Sequence, residues 1–136
     1  MAAFVITNAY VMINSVNLSD HVRSVTIDYS AETPETTAMG STTKTRLGGL
    51  LDWKLDVEFN QDYAAASVHI TLFTLVGVPT AIIVQGVSGT EGVTNPKFTG
   101  TAILSKYVPV GGKVGDVAVS KAEFVGSGIL ALDVTP

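Results

Sequence analysis

The sequence predicts a mostly β domain with a single helix laid against its sheet, and three observations carry that expectation. Residues 53–60 alternate strictly, with Trp53, Leu55, Val57 and Phe59 on one side and Lys54, Asp56, Glu58 and Asn60 on the other, the period of a half-buried strand. Further short strand-like segments recur along the chain, separated by Gly, Pro, Asn and Asp. Only residues 64–76 place apolar side chains at spacings of three and four, so one helix supplies the second layer that a half-buried strand requires.

From the N-terminus, residues 10–13 and 16–18 flank Asn14-Ser15, a pair suited to a tight hairpin turn. Ser19 and Asp20 follow; both side chains can accept backbone N–H groups, so a short turn or a single helical turn is expected. A weaker alternation covers 22–29, with Val25, Ile27 and Tyr29 set against Ser24, Thr26 and Asp28. Residues 31–50 break the pattern. They are rich in Thr, hold Met39 at their middle and Lys44, Arg46, Leu47 and Leu50 toward their end, and show no regular element. Such a length is uncommon in a compact domain, and two readings stay open: a floppy polar loop, or an arm that orders on docking to another subunit. The apolar Met39 and Leu47 favour docking.

In the helix candidate, Asp62 is placed to cap and Ala64, Ala65 and Ala66 are strong helix formers. Val68, Leu72, Leu75 and Val76 form the apolar stripe before Gly77 and Pro79 end the element. Strands are then expected at 81–87, 97–107, 115–125 and 129–134, with turns at 88–96 and 109–113. Neither face of 115–125 is purely polar. That pattern fits a strand covered once by its own core and once by a neighbour, or small-sided packing within one subunit.

A chain of 136 residues is long enough for one domain with a two-layer core. Its apolar fraction of 46% against 15% charged excludes disorder and leaves a surface built largely from Ser, Thr, Asn and Gly. Free β-rich monomers usually carry more charge than this, so the surface points to one covered by a partner. The net charge of −4, with eight scattered Lys and Arg, argues against gripping nucleic acid by neutralising phosphates. An acidic wall past which DNA moves stays compatible. Cysteine is absent, which rules out disulfides and thiolate sites. No basic region precedes a long apolar run, so neither a signal peptide nor a membrane-spanning helix is expected.

No catalytic constellation emerges. His21 is expected in a turn and His69 in the helix, both as surface or interface imidazoles. His69 follows Asp62 by about two helical turns, and such a pair falls short of the three or four ligands of a metal site. Gly111-Gly112-Lys113 lacks the spacing and the following helix of a phosphate loop. Asp56 and Glu58 share a strand face with Lys54, which favours a solvated or lumenal surface over an acid–base pair. Trp53, Phe59, Phe98 and Phe124 read as core and form no stacking ladder for single-stranded nucleic acid. Neither enzyme activity nor a cofactor is expected.

Six pieces in order carry a resemblance: Val16-Asn17-Leu18-Ser19-Asp20-His21-Val22, Glu35-Thr36-Thr37-Ala38-Met39-Gly40, Lys44-Thr45-Arg46-Leu47-Gly48-Gly49-Leu50, Phe59-Asn60-Gln61-Asp62-Tyr63, Asn95-Pro96-Lys97-Phe98-Thr99-Gly100 and Gly112-Lys113-Val114-Gly115-Asp116. Their order and spacing resemble the tail tube protein, or major tail protein, of long-tailed bacteriophages over nearly the whole chain. The resemblance implies one domain over 1–136, with two antiparallel sheets packed as a β-sandwich or partial barrel beside one α-helix. It implies hexameric rings that stack around a central channel through which DNA passes during ejection. The loop at 31–50, with Glu35, Met39, Lys44, Arg46 and Leu47, is then an arm reaching a neighbouring subunit or ring, and Asp28, Asp56 and Glu58 are candidate acids of the channel wall. The implied partners are copies of the chain itself together with tail tip, tape measure and tail terminator proteins; DNA passes without sequence-specific binding, and no membrane insertion is involved. The implied location is the virion tail, after synthesis in the bacterial host cytoplasm. Two alternatives accompany it: a capsid-associated or decoration protein, and an inner-tube protein of a contractile or secretion-like particle.

Overall fold

The computed structural model describes residues 6, 9–63, 67–90, 92 and 95–134. Eight strands form one antiparallel sheet: β1 (Tyr10–Ile13), β2 (Val16–Asn17), β3 (Val22–Ala31), β4 (Leu51–Asn60), β5 (Pro79–Gln85), β6 (Lys97–Gly111), β7 (Val119–Gly126) and β8 (Ala131–Asp133). A 3-10 turn at Ser19–His21 and helix α1 (Val68–Phe73) are the remaining regular elements described. The strand order is β2-β1-β5-β6-β7-β4-β3, with β8 on β6, and the sheet is not closed.

β6 is the longest strand and joins the two halves of the sheet. Its first half pairs with β5 from Lys97 to Ile103 and with β8 from Lys97 to Thr99; its second half pairs with β7 from Ala102 to Gly111. Register shifts after Leu104 and Val108 mark bulges, which bend a strand and sharpen its twist. Pro109 sits in the second bulge, where the ladder needs no N–H from it. The two layers of the partial barrel are therefore one continuous sheet folded over a single core. The expected turn at 109–113 shrinks accordingly, because pairing resumes at Gly111.

The alternation in β4 does what its period requires: Trp53, Leu55, Val57 and Phe59 are all buried. They meet Ala122 and Phe124 of β7, Ala102 and Leu104 of β6, Ile82 and Val84 of β5, and Val11 and Ile13 of β1 in one cluster. Phe98 is only half-buried. The Asn14-Ser15 turn forms as expected, with φ of 51° and 65°, the left-handed pair that suits a two-residue hairpin. β7 begins only at Val119, so Asp116 and Ala118 lie in the preceding turn, while Ser120, Ala122 and Phe124 point inward.

The helix is shorter than expected. Residues 64–66 lie outside the described residues, α1 spans six residues, and Ser67 rather than Asp62 occupies its N-cap position. Asp62 accepts the Ser67 hydroxyl through its carboxylate at 2.9 Å and the His69 N–H through its carbonyl at 3.1 Å. Val68, Leu72 and Leu75 are buried against the core, as the stripe demands. Val76 is exposed, because the chain has already left the helix to make a parallel bridge with Leu104.

Candidate assembly surfaces

β3 and β4 continue past the core as an irregular hairpin over residues 32–50. The N–H of Glu32 donates to the carbonyl of Leu50 (2.9 Å), that of Leu47 to Pro34 (3.1 Å) and that of Thr36 to Thr45 (2.7 Å), while Glu35 and Arg46 form an antiparallel bridge. The threonines find their use here. Thr36 and Thr45 join hydroxyls at 2.8 Å, and the Thr37 hydroxyl accepts the Thr45 N–H at 2.9 Å. The chain turns at Ala38–Ser41, where Gly40 takes φ +89°. A two-stranded extension thus replaces the segment without regular structure. Met39 is fully exposed at its tip, and Leu47 and Leu50 are exposed on the returning strand with Lys44.

The second half of β6, with β7, β4 and β3, makes a four-stranded wall. β3 pairs only with β4, and β6 loses its β5 neighbour after Ile103; Leu104 still bridges Val76, but no strand pairs that edge of β6 beyond it, so among the described residues the wall has two edges without a partner strand. Its outer face is charged. Asp28 lies across from Lys54, Thr26 from Asp56 and Ser24 from Glu58; on the other side, Asp56 faces Glu123 and Glu58 faces Lys121. Arg23 Nη1 stands 3.7 Å from Glu58 Oε1, and Lys106 Nζ 4.0 Å from Glu123 Oε2. The structure brings Asp28, Asp56 and Glu58 onto one face, but it interleaves them with cations. With Asp52 and Glu123 added, the carboxylates exceed Arg23, Lys54, Lys106 and Lys121 by a single charge per copy. A shallow depression of about 320 Å³ between Thr26, Glu58, Lys106 and Lys121 follows this face.

On the inner side, Gln61 ties the end of β4 to β6. Its Nε2 donates to the Tyr107 hydroxyl at 3.0 Å and to the Pro109 carbonyl at 2.6 Å, and the Tyr63 hydroxyl donates to the same carbonyl at 3.0 Å. His69 Nδ1 lies 3.0 Å from the Tyr107 oxygen, with its ring edge-on to Tyr63. Burial pushes the Tyr107 phenol above its ordinary pKa; the Gln61 bond opposes the rise and the neighbouring Tyr63 adds to it. His21 Nε2 is 3.2 Å from Ser67 Oγ and 3.6 Å from Asp62 Oδ2. Asp62 therefore meets His21. Hydroxyl and carboxylate approach the same ring nitrogen, whereas a nucleophile relay places them on opposite nitrogens. Sequence reasoning missed Gln61, Tyr63 and Tyr107 as a unit, because nothing local signals that residues more than forty positions apart in sequence will meet. Among the described residues no group of three or more His, Asp or Glu is placed to hold a metal, and no helix is long and apolar enough to cross a membrane.

No family model and no curated protein matches the sequence. Solved structures do match the fold. A chain from the virion of a native gene transfer agent particle superposes with a TM-score of 0.74 over 93% of this chain and 95% of that one, at 14% identity. A chain from the tail of an empty gene transfer agent particle with C6 symmetry gives 0.64 over 85% and 83%, at 18% identity. A chain from the six-fold symmetrised baseplate of the anti-feeding prophage gives 0.67 over 97% of both, at 9% identity. What such identities establish is a shared architecture, and this chain has the fold of these tail and baseplate chains.

Proposed function

We propose that the protein is the structural subunit of a phage tail tube, forming stacked hexameric rings around a channel through which DNA passes during ejection. The observation that carries this reading is the four-stranded wall with two edges without a partner strand. Each strand of β6-β7-β4-β3 runs opposite to its neighbour. An even number of alternating strands means that rotation about an axis along the strands sets β3 of one copy beside β6 of the next in antiparallel sense. Ring closure then removes both edges, which in a monomer are templates for uncontrolled pairing. Six copies place roughly 24 strands in the ring; at about 4.8 Å spacing and about 40° tilt, the backbone circle is roughly 48 Å across. That leaves an open bore. Six-fold symmetry in the particles that share this fold supports the copy number.

In this reading the outer face of the wall lines the bore. Asp28, Asp56 and Glu58 keep the lining mildly acidic, and the lysines face carboxylates across the ladder, so phosphates meet no unshielded cationic patch. The arm, with Glu35, Met39, Lys44, Arg46 and Leu47, docks on a neighbouring subunit or ring. An isolated two-stranded ribbon is marginal in water, and docking supplies the burial it lacks. The other partners are the tail tip, tape measure and tail terminator proteins, the location is the virion tail, and no catalytic step is assigned.

The test is negative-stain electron microscopy of the purified protein at high concentration, with and without tail-tip proteins as initiators. Hollow tubes of stacked rings are expected, and the Met39→Ala and Arg46→Ala variants test whether the apolar or the charged side chains of the arm hold them. Monomers or closed shells under both conditions overturn the reading and favour a capsid-associated protein. The anti-feeding prophage likeness over 97% of both chains supports a second reading, an inner-tube or baseplate subunit of a contractile particle. Co-assembly with a sheath protein would distinguish it.

A further inference from the structure

The two ends of the wall expose apolar side chains outside the core cluster, Val114 at one and Tyr29, Leu51 and Ile129 at the other. At one end, the β6–β7 turn closes through a bond from the Asp116 N–H to the Lys113 carbonyl at 3.0 Å. Gly115 takes φ +94° at the third position of this turn, which leaves Val114 at the crest. Val114 is fully exposed, and Val117 and Val110 beside it are exposed as well. At the other end, where β3 and β4 leave for the arm, Tyr29, Leu51, Trp53, Ile129 and Leu130 line an apolar cleft of about 290 Å³. Ile129 is 83% exposed there.

The registers hold these features apart. Val119 pairs with Asn60 and Gly111 at the crest end, whereas Ala31 pairs with Leu51 at the cleft end. The ten residues of β4 put roughly 30 Å between them. A crest and a cleft at opposite ends cannot satisfy each other within one chain. They can do so between copies stacked along the strand direction, and a contact of this head-to-tail kind repeats without closing. Turn tips ordinarily carry polar residues, so an exposed Val114 flanked by a second exposed valine calls for a partner.

We propose that the Val114 crest of one copy seats in the Tyr29–Leu51–Ile129 cleft of the next copy along the stack, forming a ring-to-ring joint distinct from the arm. The proposal rests on the tail-tube reading for the existence of a stack and adds which surfaces meet. The absence of native cysteine makes the test clean. A Val114→Cys, Ile129→Cys double variant, changed only at exposed positions and checked for native circular dichroism, is assembled and treated with a short bismaleimide. A ladder of linked oligomers on a denaturing gel is expected, with each single variant stopping at dimers or monomers. Val114→Asp should raise the concentration needed for polymerisation by about tenfold or more, the effect of losing one buried valine contact. Tubes visible by microscopy without a ladder overturn this joint and leave the tail-tube reading intact. A ladder without rings overturns the tail-tube reading and keeps the contact, while the absence of both overturns the two together.

Discussion

Trp53 is held between two glycines from other strands. Its indole Nε1 donates to the Gly128 carbonyl at 3.2 Å, and a Cβ built on Gly100 would stand 2.7 Å from its ring, with one on Gly126 closer still. Neither position offers room for a methyl group. Gly126→Ala should therefore destabilise the fold by about 1–3 kcal/mol, the usual cost of overpacking, read as a lower urea midpoint with an unchanged m-value. Tyr107 yields a second prediction at this scale. Its folded pKa lies above the ordinary 10.0, chiefly through burial, so the neutral phenol is the form that the fold favours. That contribution is fully present below pH 10 and is lost as pH rises through the raised value. Stability measured by denaturant titration should fall in the alkaline range, and Tyr107→Phe should flatten the fall; an unchanged slope would count against the burial argument. The burial of Trp53 was legible from its alternating neighbours, whereas its glycine cradle was not. Gly100 and Gly126 lie on β6 and the end of β7, and no period within a strand reports what sits across a folded sheet.

Among the elements, those specified by neighbouring residues were read closely and those specified at a distance were not. The β1–β2 hairpin follows from Asn14-Ser15, since both must take positive φ and the flanking residues are apolar. Ser15 is the less suited of the two, and glycine there would remove the steric cost of the left-handed conformation. Ser15→Gly should raise stability by about 0.5–1 kcal/mol, visible as a higher melting temperature, and a loss would show that the φ of 65° carries no strain worth removing. α1 was expected over 64–76, yet among the described residues the helix spans Val68–Phe73 and ends three residues short of Val76. Packing against β6 and the bridge from Val76 to Leu104 set its exit, and both are contacts with a strand far along the sequence. Residues 31–50 stood out by their lack of regular spacing, as a loop or an arm, but their cross-strand Thr36–Thr45 contact became visible only once Glu35 and Arg46 were set opposite each other. Parity within β4 sets Asp56 and Glu58 on one face, and the β3–β4 register adds Asp28 to it. Their interleaving with Lys106 and Lys121 depends on strand order, which parity does not contain.

At the scale of the whole molecule, the charge distribution sets how the proposed tube should respond to salt. Each copy carries −4 overall, so bringing copies together in rings adds like charge to like charge. The proposed attractive contacts are of another kind: backbone pairing at the edges of β3 and β6, and apolar burial at Met39, Leu47 and Val114. Neither weakens when ions screen the solvent, whereas the repulsion does, since the Debye length falls from about 10 Å at 0.1 M to about 3 Å at 1 M salt. The surface ion pairs observed, Arg23–Glu58 and Lys106–Glu123, are half-exposed and within one chain, so their screening costs the assembly little. Sedimentation across that range of salt should show the polymerised fraction holding steady or rising. A fraction that collapses at high salt would instead mean that Lys44 and Arg46 of the arm hold the rings through ion pairs. The Arg46→Ala variant would then abolish assembly at low salt, and Met39→Ala would leave it intact.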